Sequence, residues 1–286
     1  MTFDDFTSRP CPAWFADAGF GIFIHWGIFS VPAFAPRGQA IHELMHDHYD
    51  DMNAYLPYAE WYENALRLPG SATALHHKAK YGERPYASFR EDFDAAARHF
   101  DAHAWADLFK AAGARYVVFV TKHHDGYCLW PTAVDNPWRP GWHSSRDFVG
   151  ELCEAVRARG MRFGLYYSGG LDWTARAEPI ANLGDMFACV PTERQYADYA
   201  AAQLRELIDR YKPSVLWNDI AWPSGLDVPG LFAHYYNAVP DGVINDRWFA
   251  EDGFFNHLRD KTARASFNAM MTVSYTHLTL PTNREV

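Results

Sequence analysis

Five stretches of the chain are nearly continuous in apolar residues and then turn polar within a residue or two: GFGIFIHW, ARYVVFVTKHH, MRFGLYYS, SVLWNDI and DGVINDRW. A strand with one wet face alternates apolar and polar positions. A run without alternation suits a strand buried on both faces, as in a parallel sheet. Helical patterns lie between these runs. Asp101 is placed to cap a helix with Trp105, Leu108, Phe109 and Ala112 on one face and Gly113 as its stop. Asp147 opens a second, carrying Phe148, Leu152 and Val156 and ending at Gly160. Thr192 and Gln195 have capping-box spacing ahead of Tyr196, Tyr199, Ala200, Leu204, Leu207, Ile208 and Tyr211. Strand alternating with helix predicts an α/β fold with a parallel sheet.

No GxGxxG or P-loop follows any strand, so a nucleotide-binding fold is disfavoured. A (β/α)8 TIM-like barrel is the expectation, with its functional groups at the C-terminal strand ends. His25, His123, His124, Asp219 and Arg247 all fall there. The segment from Ala35 to Arg90 is a long insertion after the first strand, and its YAEWYENAL stretch predicts a short helix or a loop near the pocket.

Composition narrows the partners. The chain has 286 residues, 49% of them hydrophobic, which allows a sizeable core. A net charge of −9 and the lack of a basic stripe argue against nucleic acid. Aromatic residues reach 16%. Most suit a core, but those beside polar residues at strand ends could be platforms for a ligand. Cys11, Cys128, Cys153 and Cys189 are far apart and read neither as a disulfide framework nor as a zinc site. No apolar run reaches membrane-spanning length. The N-terminal MTFDDFTSRP lacks the basic start and apolar run of a signal peptide, which gives a cytoplasmic location as the expectation.

The candidate chemistry starts at Asp219 in VLWNDIAWP. An ionised carboxylate costs several kcal/mol to desolvate unless something compensates it. A strand-end Asp is most often a helix cap or a structural ion partner. Here SG and DVPG intervene before any helical pattern. Trp217 and Asp219 share a strand face, and a carboxylate beside an aromatic ring suits a sugar site. His123 and His124 have three readings. They could ligate a metal with His25 and Asp219, one could be core and the other exposed, or both could hydrogen-bond ligand hydroxyls. Glu60 and Trp61 in EWYE, and Asp246 and Arg247 in NDRW, are weaker candidates on residue type alone.

Taken together, WFADAGFGIFIHWGIFSVPAFAP, YAEWYENAL, WADLFKAAGARYVVFVTKHHDGYCLWPT, RDFVGELCEAVRARGMRFGLYYSGGLDW, VLWNDIAWP and INDRW resemble the α-L-fucosidases of glycoside hydrolase family 29, in order and in spacing, over about residues 12 to 250. The resemblance implies a (β/α)8-like catalytic domain followed by a β-sandwich. It implies a retaining hydrolase that removes terminal α-L-fucose from fucosylated glycans without a metal or other cofactor. It maps the nucleophile to Asp219, and fucose-binding positions to His25, Glu60, Trp61, His123, His124, Trp217 and Arg247. One tyrosine of GLYYS belongs with them and is taken as Tyr166. The acid/base carboxyl comes from a later loop in the family, which the C-terminal truncation expected of this chain removes, and it is not placed here. Glu251 is the first Glu past NDRW.

Past NDRW the resemblance fades. Val273 to Val286, VSYTHLTLPTNREV, reads as a translated transposon-type sequencing adapter. The expected organisation is therefore a catalytic unit over 1–272, a barrel cut after about its fifth or sixth strand and lacking the β-sandwich, with a non-native tail over 273–286.

Overall fold

The computed structural model describes Phe6 and residues 9–38 and 40–248. Within them the five apolar runs become five strands: β1 (Gly21–Ile24), β2 (Tyr116–Lys122), β3 (Arg162–Tyr167), β4 (Val215–Asn218) and β5 (Val243–Ile244). They pair in sequence order and every pairing is parallel. After its first residue, β2 is buried throughout, and so is β3. Both faces of these strands are covered, which explains why their sequences do not alternate.

Among the described residues, helices with defined bounds surround or connect them: α1 (Ala13–Ala16), α2 (Ile41–Asp47), α3 (Tyr62–Leu66), α4 (Ala72–Tyr81), α5 (Phe89–Ala96), α6 (Ala102–Ala111), α7 (Phe148–Ala158), α8 (Leu183–Ala188), α9 (Arg194–Tyr211) and α10 (Val228–Ala238). The expected insertion after β1 is largely helical; it contributes α2 to α4 and ends as α5 begins. Asp101 caps α6 by accepting from the His103 and Ala104 amides at 2.9 and 3.0 Å. Asp147 caps α7 by accepting from Gly150 at 2.8 Å.

Two expectations need correction. Leu108 and Ala112 do not face the core; both are exposed, Leu108 at 66%. The buried stripe of α6 is Ala102, Ala106 and Phe109, and Leu108 lies about 100° round the helix from Phe109. The capping box of Thr192 and Gln195 does not form. Glu193 is the N-cap residue of α9 and makes no side-chain cap. Its carboxylate pairs with Arg176 instead.

The sheet is strongly curled. Phe23 on β1 and Trp217 on β4 have ring centroids 5.2 Å apart, whereas in a flat sheet strands three places apart would be about 14 Å from each other. At the other end of the strands, Trp14 donates to the Asp241 carbonyl at 2.7 Å, and Arg9 to Pro240 at 2.7 Å. The segment entering β1 thus meets the turn entering β5, although these strands lie at opposite edges of the described sheet. Among the described residues, β1 and β5 each have a single strand neighbour.

Candidate active site

The C-terminal strand ends build one site by the period-two rule of a strand. His25, just past β1, turns inward. Its neighbour Trp26 turns outward into a nest of Phe93, Phe100, Trp105 and Phe148, at centroid distances of 4.7, 5.2, 5.6 and 5.2 Å. On β3 the Tyr166 hydroxyl donates to Asp219 Oδ2 at 2.8 Å, while the Tyr167 hydroxyl donates to Gln203 on α9 at 3.0 Å. After β4, Asp219 faces the site with Trp217. Asn218 lies on the other side and donates to the Ala221 carbonyl at 2.8 Å and the Arg247 carbonyl at 2.6 Å.

Asp219 is buried and accepts hydrogen bonds from three directions. Arg247 Nη1 and the Ile220 amide, the latter at 2.8 Å, donate to Oδ1, and Tyr166 donates to Oδ2. His124 Nε2 lies 3.9 Å from Oδ2. Burial pushes the carboxyl upward, but Arg247, His124, the Tyr166 hydroxyl and the Ile220 amide together outweigh it and hold it at about 2. Asp219 is therefore ionised across the physiological range. The backbone beside it is strained: Ile220 has φ +68°, and the Ala221 amide closes a three-residue turn onto the Asp219 carbonyl at 3.0 Å. A β-branched residue with positive φ in a γ-turn costs energy that the surroundings must hold in place. The helix that follows is capped by Asp227, not by Asp219.

β2 pairs with β3 through an irregularity between Val120 and Lys122, and the strand ends at Lys122. His123 and His124 lie beyond it, so both can face the site. Their rings are 4.0 Å apart. His123 sits 5.2 Å from the His25 ring and 5.6 Å from Tyr166, parallel to it. Burial first, then the neighbouring histidines, push His123 well below its ordinary value. Burial lowers His124 to about 4 against the opposing pull of Asp219, with His25 and Lys122 lowering it further. Both rings are neutral at pH 7.

The remaining wall comes from the insertion. Glu60 and Trp61 lie on a single turn of 3₁₀ helix, Ala59–Trp61, ahead of α3. Glu60 Oε1 is 3.8 Å from His25 Nδ1, and the Trp61 ring is 5.2 Å from His124. Arg247 lies 5.9 Å from the centroid of the Trp217 ring. Asp246, the other charged residue of NDRW, is exposed. The nine residues that the resemblance maps to the site, His25, Glu60, Trp61, His123, His124, Tyr166, Trp217, Asp219 and Arg247, thus meet in one connected cluster. Glu251 and the 273–286 stretch lie outside the described residues.

Three features had gone unread in the sequence. Trp173 packs against both His124 and Trp61, at 5.4 and 5.6 Å. Ser168 hydrogen-bonds His124. Lys122 and Asp172 form a fully buried ion pair at 2.8 Å, with Tyr167, Tyr196 and Tyr199 around the ammonium. Lys122 carried the signal: a lysine inside a buried apolar strand demands a counter-charge, and GGLDW contains the only aspartate of its turn.

The cluster can hold a neutral polyol. Imidazoles, a carboxylate and a guanidinium are all hydrogen-bonding groups, and tryptophan faces flank them. Buried polar atoms without a hydrogen-bond partner, His25 Nδ1 and His123 Nδ1, lie here too. Among the described residues no group of three or more His, Cys, Asp or Glu is arranged to hold a metal ion. No described helix is long and apolar enough to cross a membrane. A cavity of about 950 Å³ between the N-terminal segment, the turn after β4 and β5 contains none of the nine residues. It abuts Trp248, where the described residues end. Chemistry, not size, therefore locates the site.

The model of the alpha-L-fucosidase family matches residues 1–276, and the chain belongs to that family. It is 38% identical over 251 residues to the tissue alpha-L-fucosidase of Bos taurus, covering 84% of this chain and 47% of that one. It is 36% identical over 273 residues to the alpha-L-fucosidase of Dictyostelium discoideum, covering 87% and 51%. Its fold is similar to that of Thermotoga maritima alpha-fucosidase in complex with fucose, with a TM-score of 0.77 and 46% identity over 86% of this chain and 56% of the other. The chain spans about half the length of the curated relatives it matches.

Proposed function

We propose that this chain carries the fucose-cleaving site of a retaining α-L-fucosidase, with Asp219 as nucleophile. The observation that supports it most is the state of Asp219: buried, ionised, and held by Arg247, Tyr166 and Ile220 at a strand end lined by neutral imidazoles and tryptophans. In this reading His25, Glu60, His123, His124 and Arg247 hydrogen-bond the sugar's hydroxyls and ring oxygen. Trp61 and Trp217 meet its methyl group and apolar face. The curl of the sheet favours a (β/α)8 barrel, and residues 1–272 form the catalytic unit.

The reaction is a double displacement through oxocarbenium-like transition states. Asp219 forms a bond to the anomeric carbon as the glycosidic bond breaks, and the leaving oxygen takes the electron pair and a proton from a carboxylic acid. Water then adds to the same carbon, losing its proton to that carboxylate, and Asp219 departs. The second carboxyl stands about 5 Å from the first in such enzymes.

Asp219→Gly tests the assignment on an aryl α-L-fucoside whose leaving group departs without a proton, so the first step needs no acid. Hydrolysis should fall by several orders of magnitude, and azide should restore it partly while forming a fucosyl azide of inverted configuration. Near-parental hydrolysis in the variant would end the assignment.

A further inference from the structure

Ser168 follows β3, and its amide donates to the Lys122 carbonyl at 3.0 Å, which fixes it across the end of β2. Its hydroxyl oxygen is 2.6 Å from the Leu171 carbonyl oxygen and 2.6 Å from His124 Nδ1. A serine hydroxyl has one proton to give, and a carbonyl can only accept. The proton therefore goes to Leu171, and towards His124 the serine oxygen is an acceptor. We infer that Ser168 is a positioning residue that fixes His124 as the Nδ1–H tautomer and so presents a bare Nε2 lone pair to the site.

The consequence lies on the other side of the ring. Nε2 is 3.9 Å from Asp219 Oδ2, too far for a hydrogen bond. A lone pair there adds no second donor to Oδ2, which already accepts from the Tyr166 hydroxyl at 2.8 Å. The opposite tautomer would turn the positive end of an N–H dipole towards Oδ2 instead. A lone pair also accepts from a hydroxyl, so the sugar hydroxyl nearest the reacting carbon donates to His124. This last step rests on the fucosidase reading above; the tautomer does not. The charged and titratable groups facing the ring are Asp219, His25, His123, Lys122 and Asp172, with the Trp61 and Trp173 rings closing its sides. Burial among them keeps the ring neutral, and a neutral ring must choose one nitrogen for its proton.

The test is the imidazole nitrogen pattern of the ¹⁵N-histidine-labelled 286-residue chain at pH 7, with His124 assigned as the signal lost in His124→Gln. The Nδ1–H tautomer is expected. An Nε2–H tautomer or an imidazolium at His124 would overturn the inference without recourse to any Ser168 variant. Ser168→Ala should then shift His124 towards Nε2–H and weaken L-fucose binding roughly tenfold, while Ser168→Thr, which keeps the hydroxyl, should restore the parental pattern. A Ser168→Ala chain with an unchanged tautomer and unchanged fucose affinity would remove the positioning role. If the parental chain binds no fucose, the fucosidase reading fails on that ground, and the tautomer still decides this one.

Discussion

His124 enters the folded protein without its charge, and that makes stability depend on pH in a definite direction. Its folded value, about 4, lies below the ordinary 6.5. Between those values the unfolded chain binds the extra proton and the folded one does not. Stability is therefore complete above about pH 6.5, falls as pH drops towards 4, and is flat below. For this one group the loss between pH 7 and pH 5 is about 2 kcal/mol. His124→Gln has no such proton to bind. Urea unfolding of both chains at the two pH values should show the parent's advantage over the variant narrowing by about that amount, and a constant difference would mean that His124 titrates normally. Asp219 plays no part between pH 7 and pH 5, because both its ordinary value of 3.8 and its folded value of about 2 lie below that window, so it is ionised in the unfolded and the folded chain alike. Asp219 and the histidine pair were legible as residues because polar groups stood out at the ends of apolar runs. Ser168, a small residue among glycines in YYSGGL, carries no such mark, and its role depends on distances that only the fold supplies.

Strands and most helices could be read from the sequence because burial on both faces erases alternation and because Asp101 and Asp147 stand where caps belong. The ties between elements could not. Asp147 shows the difference. Its carboxylate caps α7 through Gly150 and also accepts from the Tyr211 hydroxyl at 2.8 Å and Arg210 at 2.9 Å, both on α9. One residue thus ends a loop, starts a helix and binds that helix to its neighbour. A lost cap costs about 1 kcal/mol, and the ion pair with Arg210 is partly exposed and counts for little. The Tyr211 contact adds a further hydrogen bond. Asp147→Ala should lower unfolding free energy by about 1–3 kcal/mol, and Asp147→Asn, which keeps an oxygen for Gly150, by roughly half as much. Denaturant midpoints measure both. Equal losses in the two variants would show that charge, not the cap, carries the effect. The missing Thr192 cap teaches the converse: capping-box spacing is local, and here the local option lost to an ion pair between Glu193 and Arg176.

At the scale of the whole molecule, the site exists because the sheet curls. His25 comes from beyond β1, Glu60 and Trp61 from the insertion, the histidine pair from beyond β2, Tyr166 from β3, Trp217 and Asp219 from β4 and its end, and Arg247 from beyond β5. No pair of neighbouring strands holds enough of these to form the cluster. The parallel order was legible in the sequence, but the curl was not, since it is set by contacts such as Phe23 against Trp217 between strands that never pair. This makes binding a report on global geometry. A ligand that binds only the folded chain stabilises it by RT ln(1 + [L]/Kd), about 2.7 kcal/mol at a hundredfold excess over Kd. L-fucose at that excess over the parental Kd should raise the parent's unfolding free energy by that amount. His25→Ala, at the β1 edge, and Arg247→Ala, past the β5 edge, should each reduce the gain to under about 1.5 kcal/mol at the same fucose concentration, because a tenfold weaker Kd removes 1.4 kcal/mol. Each variant must first show a cooperative melt without ligand, so that lost stabilisation is not lost folding. If fucose stabilises the Arg247→Ala chain as much as the parent, the pocket does not extend across the sheet, and the residues gathered around Asp219 bind nothing together.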